Sequence, residues 1–144
     1  SLRDGTKKMS KSEDSDYSRI NIKDNSDEII KKIKKAKTDS LPISEDIKEM
    51  EKRPEALNLI NIFSDLKNKD LKKTLTDFSG KDFSYFKKEL SEAIIEVICP
   101  IGKEMIKMNN DRKYLQEILK KGSERASIKA EENLKKIREI VGFV

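Results

Sequence analysis

Lys8, Met9, Ser10, Lys11 and Ser12 stand together in the polar opening of the chain, preceded by Gly5, Thr6 and Lys7. Two lysines separated by two residues on a loop can bring two ammonium groups to one polyphosphate, while the serine hydroxyls and loop amides add hydrogen bonds. Such a device stabilises charge that develops as pyrophosphate leaves, and a loop supplies it only by closing, which couples chemistry to motion. The plain alternative is that a lysine-rich chain produces lysine–serine strings by chance.

Other chemistry is largely excluded by residue type. The sequence has no histidine and a single cysteine, Cys99, so His-based triads and internal disulfides are ruled out for this chain, and a zinc site would lack its usual nitrogen ligands. No metal ligands are assigned. Cys99, between Ile98 and Pro100, reads as a buried apolar residue rather than a nucleophile. Glu45, Asp46, Glu49, Glu51 and Glu55 form an acid-rich stretch, but nothing fixes two of these carboxylates at a defined separation, and a solvated surface is expected.

The chain has 144 residues, 35% apolar and 41% charged, which suits one small helical domain. It contains no apolar run long enough to span a membrane and no signal-peptide organisation at its start, so it is expected to be cytoplasmic, with no membrane partner. Its net charge of +5 is a weak argument for nucleic acid. The skew to 26 Lys over 6 Arg and 18 Ile over 3 Val is the mark of A+T-rich coding. Residues 1–37 and 112–144 each carry +4, and residues 38–111 carry −3, so the basic charge lies at the two ends.

The elements that must position the loop follow from periodicity. Residues 1–25 read as an irregular arm, with a short extended segment expected over 17–22, where apolar and polar residues alternate. Asn25 or Ser26 caps a helix whose apolar face is Ile29, Ile30, Ile33 and Ala36, with Lys31, Lys32, Lys34, Lys35 and Lys37 on a solvated opposite face. Residues 39–53 read as loop with at most a turn of helix, and Pro54 opens the next helix. Asp70 caps a short helix that ends before Gly80. A long one runs over 82–108, with a kink or break expected at Pro100. Asn110 or Asp111 opens a helix ending at Lys120, Lys121 and Gly122, and Ser123 starts the last, with Ala126, Ala130, Leu134, Ile137 and Val141 as its stripe. The expected fold is all-α: about six helices in a bundle, behind an irregular N-terminal arm.

The string KMSKS is the signature of class I aminoacyl-tRNA synthetases, and the run from Ser1 to Ser40 resembles the bacterial and mitochondrial tryptophanyl-tRNA synthetases. The segments EKRPEALNLINIF, GKDFSYFKKELSEAIIEVICPI and GSERASIKAEENLKKIREIVGF also resemble that family's carboxy-terminal half, so the likeness covers nearly the whole chain. The resemblance implies ligation of tryptophan to its tRNA, with ATP and Mg2+, by a homodimeric enzyme acting through an aminoacyl-adenylate. It makes residues 1–25 the signature-loop arm at the end of a catalytic domain, and 26–144 a helical region of the anticodon-binding type. Lys8 and Lys11 would contact the ATP phosphates, Lys11 stabilising the transition state, while Ser10 and Ser12 support the loop and Met9 anchors it on an apolar surface. The family's Rossmann domain is absent from this sequence, so the chain reads as a piece, inactive alone. A tyrosyl-type synthetase and a stand-alone helical tRNA- or protein-binding module are the competing readings.

Residues beyond the motif have simpler explanations. The lysine face over 31–37 could follow tRNA phosphates, although solvation explains it. Arg112, Lys113, Lys120, Lys121 and Arg125 are expected near helix ends, where dipole electrostatics accounts for several of them and RNA contact remains an alternative. Phe83, Phe86 and Tyr114 fall on apolar faces and are expected in the core, leaving Tyr85 as the better base-stacking candidate.

Overall fold

A computed structural model describes residues 1–142. Its elements are a 3-10 turn at Asp16–Ser18 and six helices, α1 Ser26–Lys35, α2 Ile47–Glu51, α3 Pro54–Leu66, α4 Leu71–Phe78, α5 Phe83–Asn110 and α6 Arg112–Val141, with no strand among the described residues. The expected all-α class holds. The chain divides into two compact units, Ser1–Lys103 and the residues from Glu104 onward, with α5 passing from one into the other.

In the first unit, local signals and helix starts coincide. Asn25 accepts from the Glu28 amide while the Glu28 carboxylate accepts from the Asn25 amide, a complete capping box. Pro54 opens α3, Asp70 accepts from the Lys72 and Lys73 amides at the head of α4, and the Asp82 carboxylate accepts from the Tyr85 amide at 2.8 Å. Gly80, with φ at +74°, makes the turn after α4 in a backbone region that other side chains strain to enter.

One core joins these elements. Ile29 and Ile33 of α1, Leu59, Ile60 and Phe63 of α3, Leu75 and Phe78 of α4, and Phe86, Leu90 and Ile94 of α5 are buried together, with Leu2 of the arm among them. Phe63 and Phe86 each meet Phe78 edge-on, at ring separations of 5.1 and 4.9 Å. Ser64 donates to Thr74 at 2.9 Å, a buried polar link between α3 and α4. The irregular segment after α1 is organised by Arg53. Its guanidinium grips both Asp39 oxygens, at 2.8 and 2.6 Å, and donates to the carbonyls of Leu41 and Pro42. The short helix α2 lies within the stretch expected to hold at most one turn.

Three expectations are corrected. Residues 16–18 form a 3-10 turn instead of extended chain, because the Ser18 carbonyl is taken by the Leu2 amide at 2.8 Å and Asp16 is drawn toward α1. Of the kink or break expected near Cys99, the break is what the structure corrects: α5 is not interrupted but runs on through Pro100, and Glu96, whose carbonyl loses its usual donor there, is exposed to solvent, as is the proline. Nor does a helix end at Gly122. In the second unit α6 is a single helix of 30 residues, since Gly122 does not adopt the positive φ that a glycine terminator requires, and the left-handed cap comes only at Gly142, φ +78°. A mid-helix glycine costs only about 1 kcal/mol relative to alanine, too little to end a helix when the residues on both sides propagate it.

The Asp39–Arg53 pair gives a pH test. The Arg53 hydrogen bonds, with the Leu41 amide assisting, hold the Asp39 carboxyl below its ordinary value of 3.8 against the opposing effect of burial. A depressed folded-state value contributes stability that is present above the unfolded value and lost as pH falls through the folded one. Thermal melts should therefore show Asp39→Asn less stable than the parent at pH 7, with the difference shrinking below about pH 4; a pH-independent difference would remove the ion pair from the account.

Candidate functional site: a signature loop tied at both stems

Lys8 through Ser12 are all exposed and irregular, with a turn at residues 11 and 12. The turn is held by serines: Ser10 Oγ and Ser12 Oγ share a hydrogen bond of 2.8 Å, and the Ser12 amide donates to Ser10 Oγ at 3.2 Å. Lys11 is thus presented between two linked serines. Neither Lys8 nor Lys11 has a carboxylate within ion-pair distance among the described residues, so both ammonium groups are available to an incoming anion. Met9, 45% exposed, stands at the rim of an apolar hollow of about 330 Å3 lined by Leu2, Ile20, Ile62, Ile94 and Ile98.

The rising stem before the loop is fixed on α1 and α3. Leu2 is buried, and its carbonyl accepts from the Lys37 amide at 2.9 Å. Asp4 then accepts from the Thr6 hydroxyl at 2.6 Å and the Thr6 amide at 3.1 Å, bonds that hold its carboxyl below the ordinary value. Gly5 lies against the first turn of α3, where a Cβ would stand 2.6 Å from the Glu55 nitrogen and closer still to the Pro54 carbonyl. The falling stem is seated the same way on α5: a Cβ on Gly102 would strike the carbonyl of Ile22.

The strongest tie of the falling stem is ionic. Lys32 of α1 is buried, 5% exposed, and its ammonium lies 2.7 Å from Asp24 and 2.6 Å from Asp16. Burial works against its charge, but the bonds to the two carboxylates outweigh that and raise its pKa above the ordinary value. Hydrogen bonds from Lys32 and Asn21 in turn keep the Asp16 carboxyl below its usual range. Asn21 completes the cluster, its amide donating to Asp24 at 2.8 Å and its side chain to Asp16 at 2.9 Å. Arg19 pairs with the same Asp16 oxygen as Asn21, Oδ1, at 3.2 Å, leaving Oδ2 to Lys32, and donates to the Glu13 carbonyl at 3.2 Å.

Lys32 is expected on a solvated face, and the sequence pattern assigns Asp16, Arg19 and Asp24 no role; the structure corrects both. The signal was there: Lys32 is three residues after Ile29 and four before Ala36, which puts it at the border of the buried stripe. Its neighbours are also engaged, Lys35 lying 4.1 Å from the Tyr17 ring centroid and Lys37 pairing with Glu55 at 2.7 Å. Phe83 and Phe86 are in the core as expected, and Tyr85 is exposed beside Phe78 and Lys81. Tyr114 is 49% exposed, contrary to the expected core position, and Cys99 is only half-buried, its Sγ 3.7 Å from Ser26 Oγ. In the second unit α6 buries none of its residues, the expected stripe included. Lys120, Lys121 and Arg125 are mid-helix and Arg112 and Lys113 stand at its start, so C-terminal dipole stabilisation accounts for none of the five.

A larger hollow, about 920 Å3, is lined by residues of α1 and α5 including Ile30, Lys34, Lys87 and Ser91, and shares none with the loop. Lys87 donates to the Ala36 carbonyl at 2.7 Å, satisfying the end of α1, and burial lowers its pKa. Among the described residues no helix is long and apolar enough to cross a membrane.

The family model described as tRNA synthetases class I (W and Y) matches residues 1–98. The chain belongs to that family. Over its full length it is 45% identical to the tryptophan–tRNA ligase of Rhizobium meliloti (strain 1021) and 47% identical to that of Rickettsia felis (strain ATCC VR-1525 / URRWXCal2), covering 41% and 43% of those proteins. It therefore spans about two fifths of the length of these curated relatives, matching their C-terminal portion. The crystal structure of tryptophanyl-tRNA synthetase from Mycoplasma pneumoniae superposes on 96% of the chain with a TM-score of 0.78 at 24% identity, a likeness of fold that covers 41% of that structure. In this class I synthetase segment, the loop bearing the signature lysines is thus joined to the helical fold by Leu2, Gly5 and Gly102 and by the buried Lys32.

Lys32 offers a direct measurement. Lys32→Ala strands the Asp24 carboxylate, which is 9% exposed, without its counter-charge, and urea unfolding should show a loss of about 3 kcal/mol or more. Lys31→Ala, on the exposed side of the same helix, should cost within about 0.5 kcal/mol. Equal effects would mean that Lys32 is not the tie described.

Proposed function

We propose that this chain is the signature-loop and helical portion of a tryptophan–tRNA ligase, in which tryptophan is activated by ATP to tryptophanyl-adenylate and transferred to its tRNA. In the activation step a tryptophan carboxylate oxygen attacks the α-phosphorus of ATP, the bond from that phosphorus to the bridging oxygen of the β-phosphate breaks, and pyrophosphate leaves. The observation that carries the reading is the pairing of two ammonium groups free of carboxylate partners, Lys8 and Lys11, on a loop tied at both stems, in a chain 44–47% identical throughout to proteins named tryptophan–tRNA ligase.

Lys11 is the residue proposed to stabilise the charge that builds on the departing pyrophosphate, with Lys8 as second phosphate ligand, Ser10 and Ser12 shaping the turn, and Met9 resting on the apolar hollow. Mg2+ is proposed to arrive with ATP, coordinated by its phosphates. Residues 1–25 are proposed as the end of the catalytic domain and 26–144 as the part facing the tRNA, Phe143 and Val144 lying outside the described residues. The basic side chains of α6 that lack a dipole explanation are candidates for phosphate contacts there. The whole ligase is proposed to be a cytoplasmic homodimer, and this segment alone to lack activity.

The test is tryptophan-dependent ATP–pyrophosphate exchange by the full-length ligase. Lys11→Ala should slow it by about 100-fold or more, the scale of a lost transition-state donor. An effect below about threefold would reject the role of Lys11. Exchange driven by tyrosine instead of tryptophan would reassign the substrate, and no exchange with either would favour a binding module.

A further inference from the structure

We infer that Arg19 is a positioning residue for the signature loop, a latch that fixes the backbone beside Lys11 against the buried ion cluster on α1. The inference rests on the proposed adenylate chemistry for its kinetic consequence and on geometry alone for the latch itself.

Arg19 lies beyond the loop, its side chain 18% exposed, and its guanidinium is used in two directions. One nitrogen, Nη1, donates back to the Glu13 carbonyl at 3.2 Å and reaches the Ser10 carbonyl at 3.5 Å. The other, Nη2, pairs with Asp16 Oδ1 at 3.2 Å. Asp16 Oδ2 lies on the Lys32 ammonium at 2.6 Å, and Lys32 is locked in turn by Asp24 at 2.7 Å. An unbroken line of charge-assisted bonds therefore runs from a buried lysine of a core helix to the main chain on either side of Lys11, ending on the loop's own carbonyls.

A planar fork suits this task. Arginine offers several N–H groups in fixed directions, so one side chain can hold a carboxylate and a carbonyl together, whereas a lysine would satisfy the carboxylate from a single point. Ser10 and Glu13 bracket the turn that presents Lys11, and the other side-chain bonds at this turn are local ones between Ser10 and Ser12. Arg19 is thus the side chain that refers the turn to the rest of the fold. Since a misplacement of about 1 Å in a catalytic group can cost about 100-fold in rate, the latch acts on the chemical step through Lys11 without touching substrate.

The experiment uses the full-length ligase with Arg19→Ala, Arg19→Lys, Lys11→Ala and the Arg19→Ala/Lys11→Ala double variant. In tryptophan-dependent pyrophosphate exchange, Arg19→Ala should lower kcat by about tenfold, with the KM for tryptophan within about twofold of the parent's. Its loss should not multiply with that of Lys11→Ala, because both act through one group. Arg19→Lys keeps the charge but not the fork and should recover only part of the rate, and it carries the test should Arg19→Ala not fold. Losses that multiply, or an unchanged kcat, overturn the inference. Amide hydrogen exchange over residues 8–14 of the ligand-free protein, which needs no activity, should be faster in both Arg19→Ala and Asp16→Asn. Unchanged amides overturn the latch itself, whereas a parent without exchange activity overturns the proposed function and leaves the amide result to judge the latch.

Discussion

Lys32 is the point on which the loop's placement depends. A buried ammonium is tolerated only where opposite charge and hydrogen bonds replace the water it has lost. Here that replacement comes from Asp16 and Asp24, neither of which belongs to the helix that carries the lysine. The requirement runs both ways: α1 buries Ile29 and Ile33, their burial fixes the rotation of the helix, and that rotation puts Lys32 at the edge of the core, where the chain between the loop and α1 reaches it through Asp16 and Asp24. The hydrophobic stripe thus sets the position of the ion cluster, and the ion cluster sets the path of the falling stem.

The rising stem is held by different means. Leu2 inserts into the same core, and its amide and carbonyl bond to Ser18 and Lys37, so the two stems meet each other and the end of α1 at one place. Two glycines allow the close approaches that complete the arrangement, Gly5 against α3 and Gly102 of α5 against Ile22. Tying a loop at its base shortens the span that must be ordered when it closes, and the entropic cost of closure falls with that span. A loop that must move for catalysis gains from having a hinge that does not.

Much of this was legible in the sequence, and the misreadings have definite causes. Asn25, Pro54, Asp70, Asp82 and Asp111 mark helix starts in the structure because each acts on backbone groups within a few residues, which a linear sequence displays. The candidate loop was equally plain as a string. What the string did not display was its support, because Lys32 was assigned by its type, and a lysine counts as surface until its partners are known. Asp16 and Asp24 are 16 and 8 residues from it, beyond helical periodicity. Gly122 was misread through the opposite error, a local signal taken as decisive where a whole helix outweighed it.

The contrast between Lys32 and the two loop lysines shows how one residue type serves opposed ends. Lys32 has exchanged its hydration for two carboxylates, and its bonds to them raise its pKa above the ordinary value in spite of burial. Lys8 and Lys11 remain exposed and without carboxylate partners among the described residues. An ammonium already paired would have to break that pair before meeting a phosphate, and the interaction would gain little. One held in water near a fixed hinge can shed part of its hydration when the anion arrives, and its field then strengthens as solvent is excluded. Pairing one lysine inside the fold and leaving two unpaired above it separates the charge that builds the site from the charge that can act in it.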